Sequence, residues 1–372
     1  MTLTKIRLGN YIEQSTENNS DLKYSANLIA GVTSAGVFST PKVDVSNVNL
    51  KPYKIVNTGA FVYNPTRLDL GSIALRTDGL CIVSHLYMVF YLNEEGKKII
   101  DPRYLYMYFR RKEFCREVTF RNFGSQRPEF NFKKMSDIVI PLPEISIQRK
   151  YADIYDAMLA NQRSYEKGLE DLKIVFDGIL DKEKFVSDKQ PVKKLLEEVD
   201  ERNEDGLLKD VLGINVNKEF MPSVANVKNI DLSRYKIVKS GQLAFSGMQT
   251  GRDQCIRIAL NKSKNPILIS PAYTVFKIKT KAVIAEYIMM WFSRAESDRK
   301  GWFMSDSSIR SNLDLERFYE TQIPVPDLKR QHGVANIYSV YKERQHINEK
   351  LKEQIKKICP ILIKGSLEEA GI

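Results

Sequence analysis

Ile140-Pro141-Leu142-Pro143, followed by Gln148 and Ala152-Asp153-Ile154-Tyr155, returns as Ile323-Pro324-Val325-Pro326, followed by Gln331 and Ala335-Asn336-Ile337-Tyr338. From 140 to 323 the displacement is 183 positions. A period of about half the chain makes the repeated unit a domain plus a helix rather than a small solenoid module. Working outward, Tyr53-Lys54-Ile55-Val56 with Gly59 matches Tyr235-Lys236-Ile237-Val238 with Gly241. Ser84, Tyr87, Val89 and Phe90 match Ser270, Tyr273, Val275 and Phe276. Further on, Tyr104-Leu105, Phe109, Ser125 and Arg127 stand opposite Tyr287-Ile288, Phe292, Ser308 and Arg310.

The prolines mark a change of character. Lacking a backbone N–H, they push the residues before them toward extended structure. From about Glu144 to Lys184, Ile147, Tyr151, Ile154, Met158, Tyr165, Leu169, Leu172, Phe176 and Ile179 recur mainly at threes and fours. That is an amphipathic helix with a coiled-coil-like seam, in which Gln162 is a polar interruption. From about Leu328 to Ile363, Val334, Ile337, Tyr341, Leu351, Ile355, Ile358 and Leu362 repeat the pattern, interrupted at Gln345 and His346. Roughly 36 residues give each helix a length on the order of 54 Å.

Before each helix, β-rich runs such as Leu80-Cys81-Ile82-Val83 and Tyr273 to Ile278 alternate with turn signals at Asn57-Thr58-Gly59 and Lys239-Ser240-Gly241. Arg103–Arg116 and Ala282–Arg299 read as helices whose aromatic and Met stripes belong to the core. The fold class is therefore mixed α/β: two tandem repeated globular domains, each followed by a long helix, with the two helices pairing. The predicted boundaries are 1–143 and 191–326 for the domains, and 144–190 and 327–372 for the helices.

Composition narrows the partners. The 372 residues carry 57 Lys+Arg against 46 Asp+Glu, a net charge of +11, which favours a polyanion without fixing which. Four cysteines without paired spacing and three histidines give no zinc pattern and point to a reducing cytoplasm. No secretion signal or membrane span is expected, since no apolar run reaches eighteen residues.

A duplicated α/β domain, each copy closed by Ile-Pro-x-Pro, a Gln five residues on and a long helix, resembles the specificity subunit of type I restriction–modification systems. The resemblance covers nearly the whole chain and is most specific at Ile140–Tyr155, at Ile323–Tyr338 and in the Ser84/Tyr87/Phe90 and Ser270/Tyr273/Phe276 blocks. It implies a non-catalytic subunit with two target-recognition domains reading a bipartite double-stranded DNA site, joined by an antiparallel helix pair. It also implies docking of two methyltransferase subunits and, in the full complex, two restriction subunits. S-adenosylmethionine, ATP and Mg2+ would be used by those partners, with no cofactor held by this chain.

The missing motifs agree. An adenine methyltransferase needs a glycine-rich cofactor turn and an Asn/Asp-Pro-Pro-aromatic run for the flipped base. Asn64-Pro65-Thr66-Arg67 and Asp101-Pro102-Arg103-Tyr104 each lack the second proline, and no phosphate-binding G-x-x-x-x-G-K-[ST] occurs. Asp171-Leu172-Lys173, reminiscent of half a nuclease metal site, falls in the predicted helix as a solvated face.

Sequence is read by polar side chains at base edges, and phosphates are held by Lys and Arg. In the first domain the candidates are Thr33 and Ser34 in Thr33-Ser34-Ala35-Gly36, with Lys42, Asn64, Arg67, Arg121, Ser125, Gln126 and Arg127. In the second they are Asn215, Asn217, Lys218, Gln249, Arg252, Asp253, Ser308 and Arg310. Framework blocks are shared, yet Asn64-Pro65-Thr66-Arg67 becomes Ser246-Gly247-Met248-Gln249, as two domains reading different half-sites would require. Three other readings are a divergent methyltransferase or combined restriction enzyme, testable by S-adenosylmethionine binding; a specificity subunit of a related bipartite-site system; and a coiled-coil adaptor whose basic charge serves solubility.

Overall fold

The computed structural model describes residues 4–41, 45, 48–122, 129–223, 230–306, 308 and 311–371. It divides into two compact units: Met1–Ser164 with Asn348–Ile372, and Tyr165–Ile347. Each unit thus holds one globular domain and half of each long helix. The first long helix runs over Ile145–Val186 and the second over Leu328–Glu369. At 42 residues apiece they are each about 63 Å long, beyond the predicted length. The second continues past Ile363 and through Pro360, which removes one helical N–H.

In the first unit a four-stranded antiparallel sheet has the order Ile12–Ser15, Met88–Leu92, Phe61–Tyr63, Ile73–Leu75. The second unit repeats that order with Leu196–Val199, Thr274–Ile278, Leu243–Ser246 and Arg257–Leu260. Side chains alternate across these strands. Phe61 and Tyr63 face the core under the helices, while Val62 joins a second apolar layer with Val56, Val83 and Val89. Leu243 and Phe245 against Ala244 do the same in the other unit. Aromatic packing fills the first core, with Phe61 stacked on Phe90 at 5.0 Å and edge-on to Phe109 at 5.8 Å.

The repeated motifs acquire physical roles. Ile140-Pro141-Leu142 lies in strand Val139–Leu142, antiparallel to Thr4–Arg7; Ile323-Pro324 lies in Gln322–Pro324, antiparallel to Lys189–Pro191. These two-stranded ribbons close each domain at its entry strand, and prolines are tolerated there because a sheet edge has N–H positions to spare. The fully buried Gln148 donates to the carbonyls of Ile99 (2.8 Å) and Pro143 (2.7 Å) and accepts from the Asp101 amide (3.0 Å). Gln331 repeats this with Ala282, Pro326 and the Ile284 amide at 2.8, 2.7 and 3.0 Å. Buried Asn19 and Asn203 likewise each bridge a loop, exchanging hydrogen bonds with Tyr24 and Leu208.

Two expectations need correction. Arg103–Arg116 and Ala282–Arg299 are each broken into two helices, Pro102–Phe109 with Lys112–Arg121 and Ala285–Phe292 with Ala295–Met304. The break falls where Arg111 and Arg294 turn extended, each guanidinium lying over an aromatic ring of the preceding helix, Tyr108 at 3.7 Å and Trp291 at 5.2 Å. Within the seam, Ile154 is exposed and Tyr155 buried, because the helix must also bury Ala152 and Tyr155 against its own domain.

The helices pair antiparallel in both units. In the first, Lys150 binds Glu369, and Tyr155 and Ala152 share a core with Cys359, Leu362 and Ile363. In the second, Phe176 stacks on Tyr338 at 5.5 Å, and Arg330 reaches Glu183. The polar interruption at Gln162 is real and buried, donating to Asn348 at 3.0 Å. Asn348 lies just past Gln345 and His346, and His346 is exposed.

Candidate nucleic-acid interface

In the first unit, two of the chosen segments are drawn together by a residue that sequence reasoning passed over. Thr33-Ser34-Ala35-Gly36 is the turn of hairpin Gly31–Val32/Phe38–Ser39, closed by Gly36 N to Thr33 O at 3.0 Å. Arg110, capping helix Pro102–Phe109, donates to the carbonyl of Ser34 at 3.1 Å and to that of Gly71. It thereby ties the turn to loop Asn64–Gly71. Glycine is required at position 36: its φ is +77°, and a Cβ there would lie 2.6 Å from the Arg110 guanidinium. Asn64 organises the second loop, its Oδ1 accepting from the Thr66 amide and hydroxyl at 3.0 and 2.9 Å. Arg67 is exposed beside it. Pro65 O accepts from Phe130 N at 2.9 Å, which sets this loop against the chain that follows 123–128. Arg121 ends helix Lys112–Arg121 with its guanidinium on Glu117. Lys42, Ser125, Gln126, Arg127 and Arg310 lie outside the described residues.

In the second unit the same three segments meet with different chemistry. Asn215 caps the hairpin turn between Val211–Ile214 and Phe220–Pro222, accepting from Glu219 N at 3.0 Å, with Asn217 exposed at the tip. Lys218 does not face outward. In a left-handed conformation at φ +62°, it buries its ammonium on Asp298 and on the Ile256 carbonyl. This ion pair anchors the hairpin as Arg110 does in the first unit, with the cation carried by the turn itself.

Loop Gly247–Gln249 and the short helix Thr250–Asp253 after it dock on Ser311–Leu313: Gln249 N donates to Asn312 Oδ1 at 2.9 Å, Leu313 N to Gly247 O and Gly251 N to Ser311 O, both at 2.8 Å. Gly247 is needed for this approach, since a Cβ would stand 1.8 Å from Leu313 O. Arg252 bridges Gln249 and Asp253, and Arg257 also holds Asp253. Burial alone would raise the Asp253 pKa, but the two guanidinium groups outweigh it and hold the carboxyl below its usual range. Ser308 is exposed, its hydroxyl donating to Asp306, whose pKa that bond lowers.

Each unit therefore presents a hairpin turn and a loop that docks on a further segment of the chain, lined by amide, hydroxyl and guanidinium groups suited to base edges and phosphates. The proline-containing runs have structural work. Asp101 caps helix Pro102–Phe109 through the amides of Arg103 and Tyr104, and it pairs with Arg103. Among the described residues no cluster of His, Cys, Asp and Glu is arranged to hold a metal ion, and no helix is long and apolar enough to cross a membrane.

The family profile described as the type I restriction modification DNA specificity domain matches residues 3–172 and again 227–357. The chain belongs to that family. Among solved structures, the type I specificity-subunit fold is shared with the S subunit from M. genitalium, at a TM-score of 0.63 and 13% identity, over 98% of this chain and 96% of that one. The HsdS subunit from Thermoanaerobacter tengcongensis aligns over 98% and 96% of the two chains at 13% identity and a TM-score of 0.41. A chain from a study of complex assembly and conformational transition in the type I R-M system aligns over 97% and 98% at 14% identity and 0.49. None of the curated proteins matches by sequence.

Proposed function

We propose that this chain is the non-catalytic specificity subunit of a type I restriction–modification complex, acting in the cytoplasm on a bipartite double-stranded DNA target, with one half-site per unit. It holds two methyltransferase subunits and, in the full assembly, two restriction subunits; S-adenosylmethionine, ATP and Mg2+ belong to those partners. The carrying observation is the contrast between shared framework and unlike loops. The Gln148/Gln331 network repeats bond for bond and the Asn19/Asn203 loop bridge recurs, whereas Asn64-Pro65-Thr66-Arg67 and Ser246-Gly247-Met248-Gln249 sit at one place in the fold with different side chains. A scaffold kept constant beneath exchanged polar groups is what two readers of different sequences require. The test is to sequence modified adenines in DNA from cells carrying the chain with its methyltransferase partner. A motif split by unspecified base pairs supports the reading; a continuous motif, or modification independent of this chain, contradicts it.

A further inference from the structure

Helices Lys112–Arg121 and Ala295–Met304 occupy the same place in the repeat, and their inner and outer faces behave in opposite ways. On the buried face Phe114 and Val118 of the first are replaced by Ser297 and Gly301 in the second. On the exposed face Glu113, Arg116 and Phe120 recur as Glu296, Arg299 and Phe303, all displaced by 183 positions. Phe120 is 81% exposed and Phe303 87%. Both arginines make the same ion pair one turn back, Arg116 to Glu113 and Arg299 to Glu296, each at 2.9 Å. Selection for packing preserves what is inside and lets the outside drift, so this pattern needs another cause. The rest of the outer surface has drifted: Lys112, Glu117 and Thr119 stand opposite Ala295, Lys300 and Trp302.

We infer that each stripe is a docking surface for the same protein partner, bound once per unit. The units differ where DNA sequence is to be read, so a surface identical in both serves something identical on both sides. Two features favour protein over the DNA backbone. Each arginine is already paired with a glutamate, so the shared Glu–Arg pair carries no net charge of its own to offer a phosphate. A phenyl ring left nearly fully exposed and flanked by an ion pair, with Trp302 half exposed beside Phe303, has the aromatic-and-arginine composition of an interface anchor. The complementary surface would offer an apolar pocket for the ring and polar groups for the Glu–Arg pair. The position suits a partner working beside the reading loops. Helix Lys112–Arg121 packs on the short turn Leu68–Leu70 of the first unit's loop, and a Cβ at Gly251 would lie 3.1 Å from Ser305 Cβ, just past the end of the other helix. On the proposed function, on which this inference rests, the subunit present twice beside bound DNA is the methyltransferase.

The experiment mixes the purified chain with purified methyltransferase subunit and reads stoichiometry by native mass spectrometry and affinity by sedimentation. The wild-type chain takes up two subunits. Phe120→Ala weakens one of the two by about tenfold or more, Phe303→Ala weakens the other, and the double variant weakens both. Arg116→Glu and Arg299→Glu act in the same way, and circular dichroism and unfolding temperature stay at wild-type values. Two subunits bound at wild-type affinity by all these variants would overturn the inference. So would intact assembly with lost DNA affinity, which would make the stripe a DNA contact. A wild-type chain that binds no methyltransferase subunit would overturn the proposed function together with the inference.

Discussion

Lys218 and Arg110 show how one structural need is met by unlike residues. Both anchor a hairpin turn at the candidate DNA face, yet one cation points from the turn into the fold and the other from a helix into the turn. Lys218→Ala would leave Asp298 facing the Ile256 amide without its buried cation. A loss of about 3 kcal/mol is expected, visible in urea unfolding; an unchanged midpoint would show the pair to be dispensable. The thiols give a second residue-scale test. Burial pushes Cys359 up to about 11, so it is almost wholly protonated at pH 8 and sits inside the core. It should alkylate far more slowly than Cys115, which is only partly covered; equal rates would contradict the packing of the second long helix on the first unit. From sequence Lys218 reads as a DNA contact, because lysines hold phosphates and it lies at the place equivalent to the first domain's candidate turn. Its ion-pair partner lies 80 positions away, and nothing in the local sequence announces it. Arg110 was missed for the complementary reason: its counterpart is Ser293, so the repeat gave no signal.

Elements were more legible than residues, because periodicity and proline act locally. The long helices follow from the apolar spacing, and the strand around each Ile-Pro-x-Pro from the restriction that proline places on its neighbours. The pairing register was not legible. It depends on Gln162 meeting Asn348, and Asn348 lies just past the interruption visible at Gln345 and His346. A buried polar pair of this kind costs stability and specifies alignment. Replacing both residues by leucine is expected to raise the unfolding temperature by a few degrees while loosening the register. Disulfide trapping between cysteines introduced along the two helices would read this: several products from the double-leucine variant, one from the parent. A single product from both would show that the apolar seam alone sets the alignment.

For the whole molecule, the duplication carried the fold: matched blocks displaced by 182 to 186 positions became two copies of one sheet order and one buried-glutamine network. On the proposed function the paired helices act together as a spacer, and their antiparallel pairing decides how that is tested. A Cβ at Gly168 would lie 3.4 Å from the Arg344 guanidinium, so lengthening one helix alone would break the match. Matched four-residue insertions near Gly168 and Arg344 add about 6 Å, close to one turn, to both helices. The expected result is the same half-sites separated by one or two more unspecified base pairs; unchanged spacing would remove the helices as the ruler. Most direct of all is the map of modified adenines in cells carrying Arg67→Ala, set beside the maps from the parent chain and from Gln249→Ala. Each substitution should relax or shift one half of the split motif, a different half in the two variants, with a discrimination loss of about 1–3 kcal/mol at the affected base. Equal change in both halves from either substitution would contradict one reader per unit.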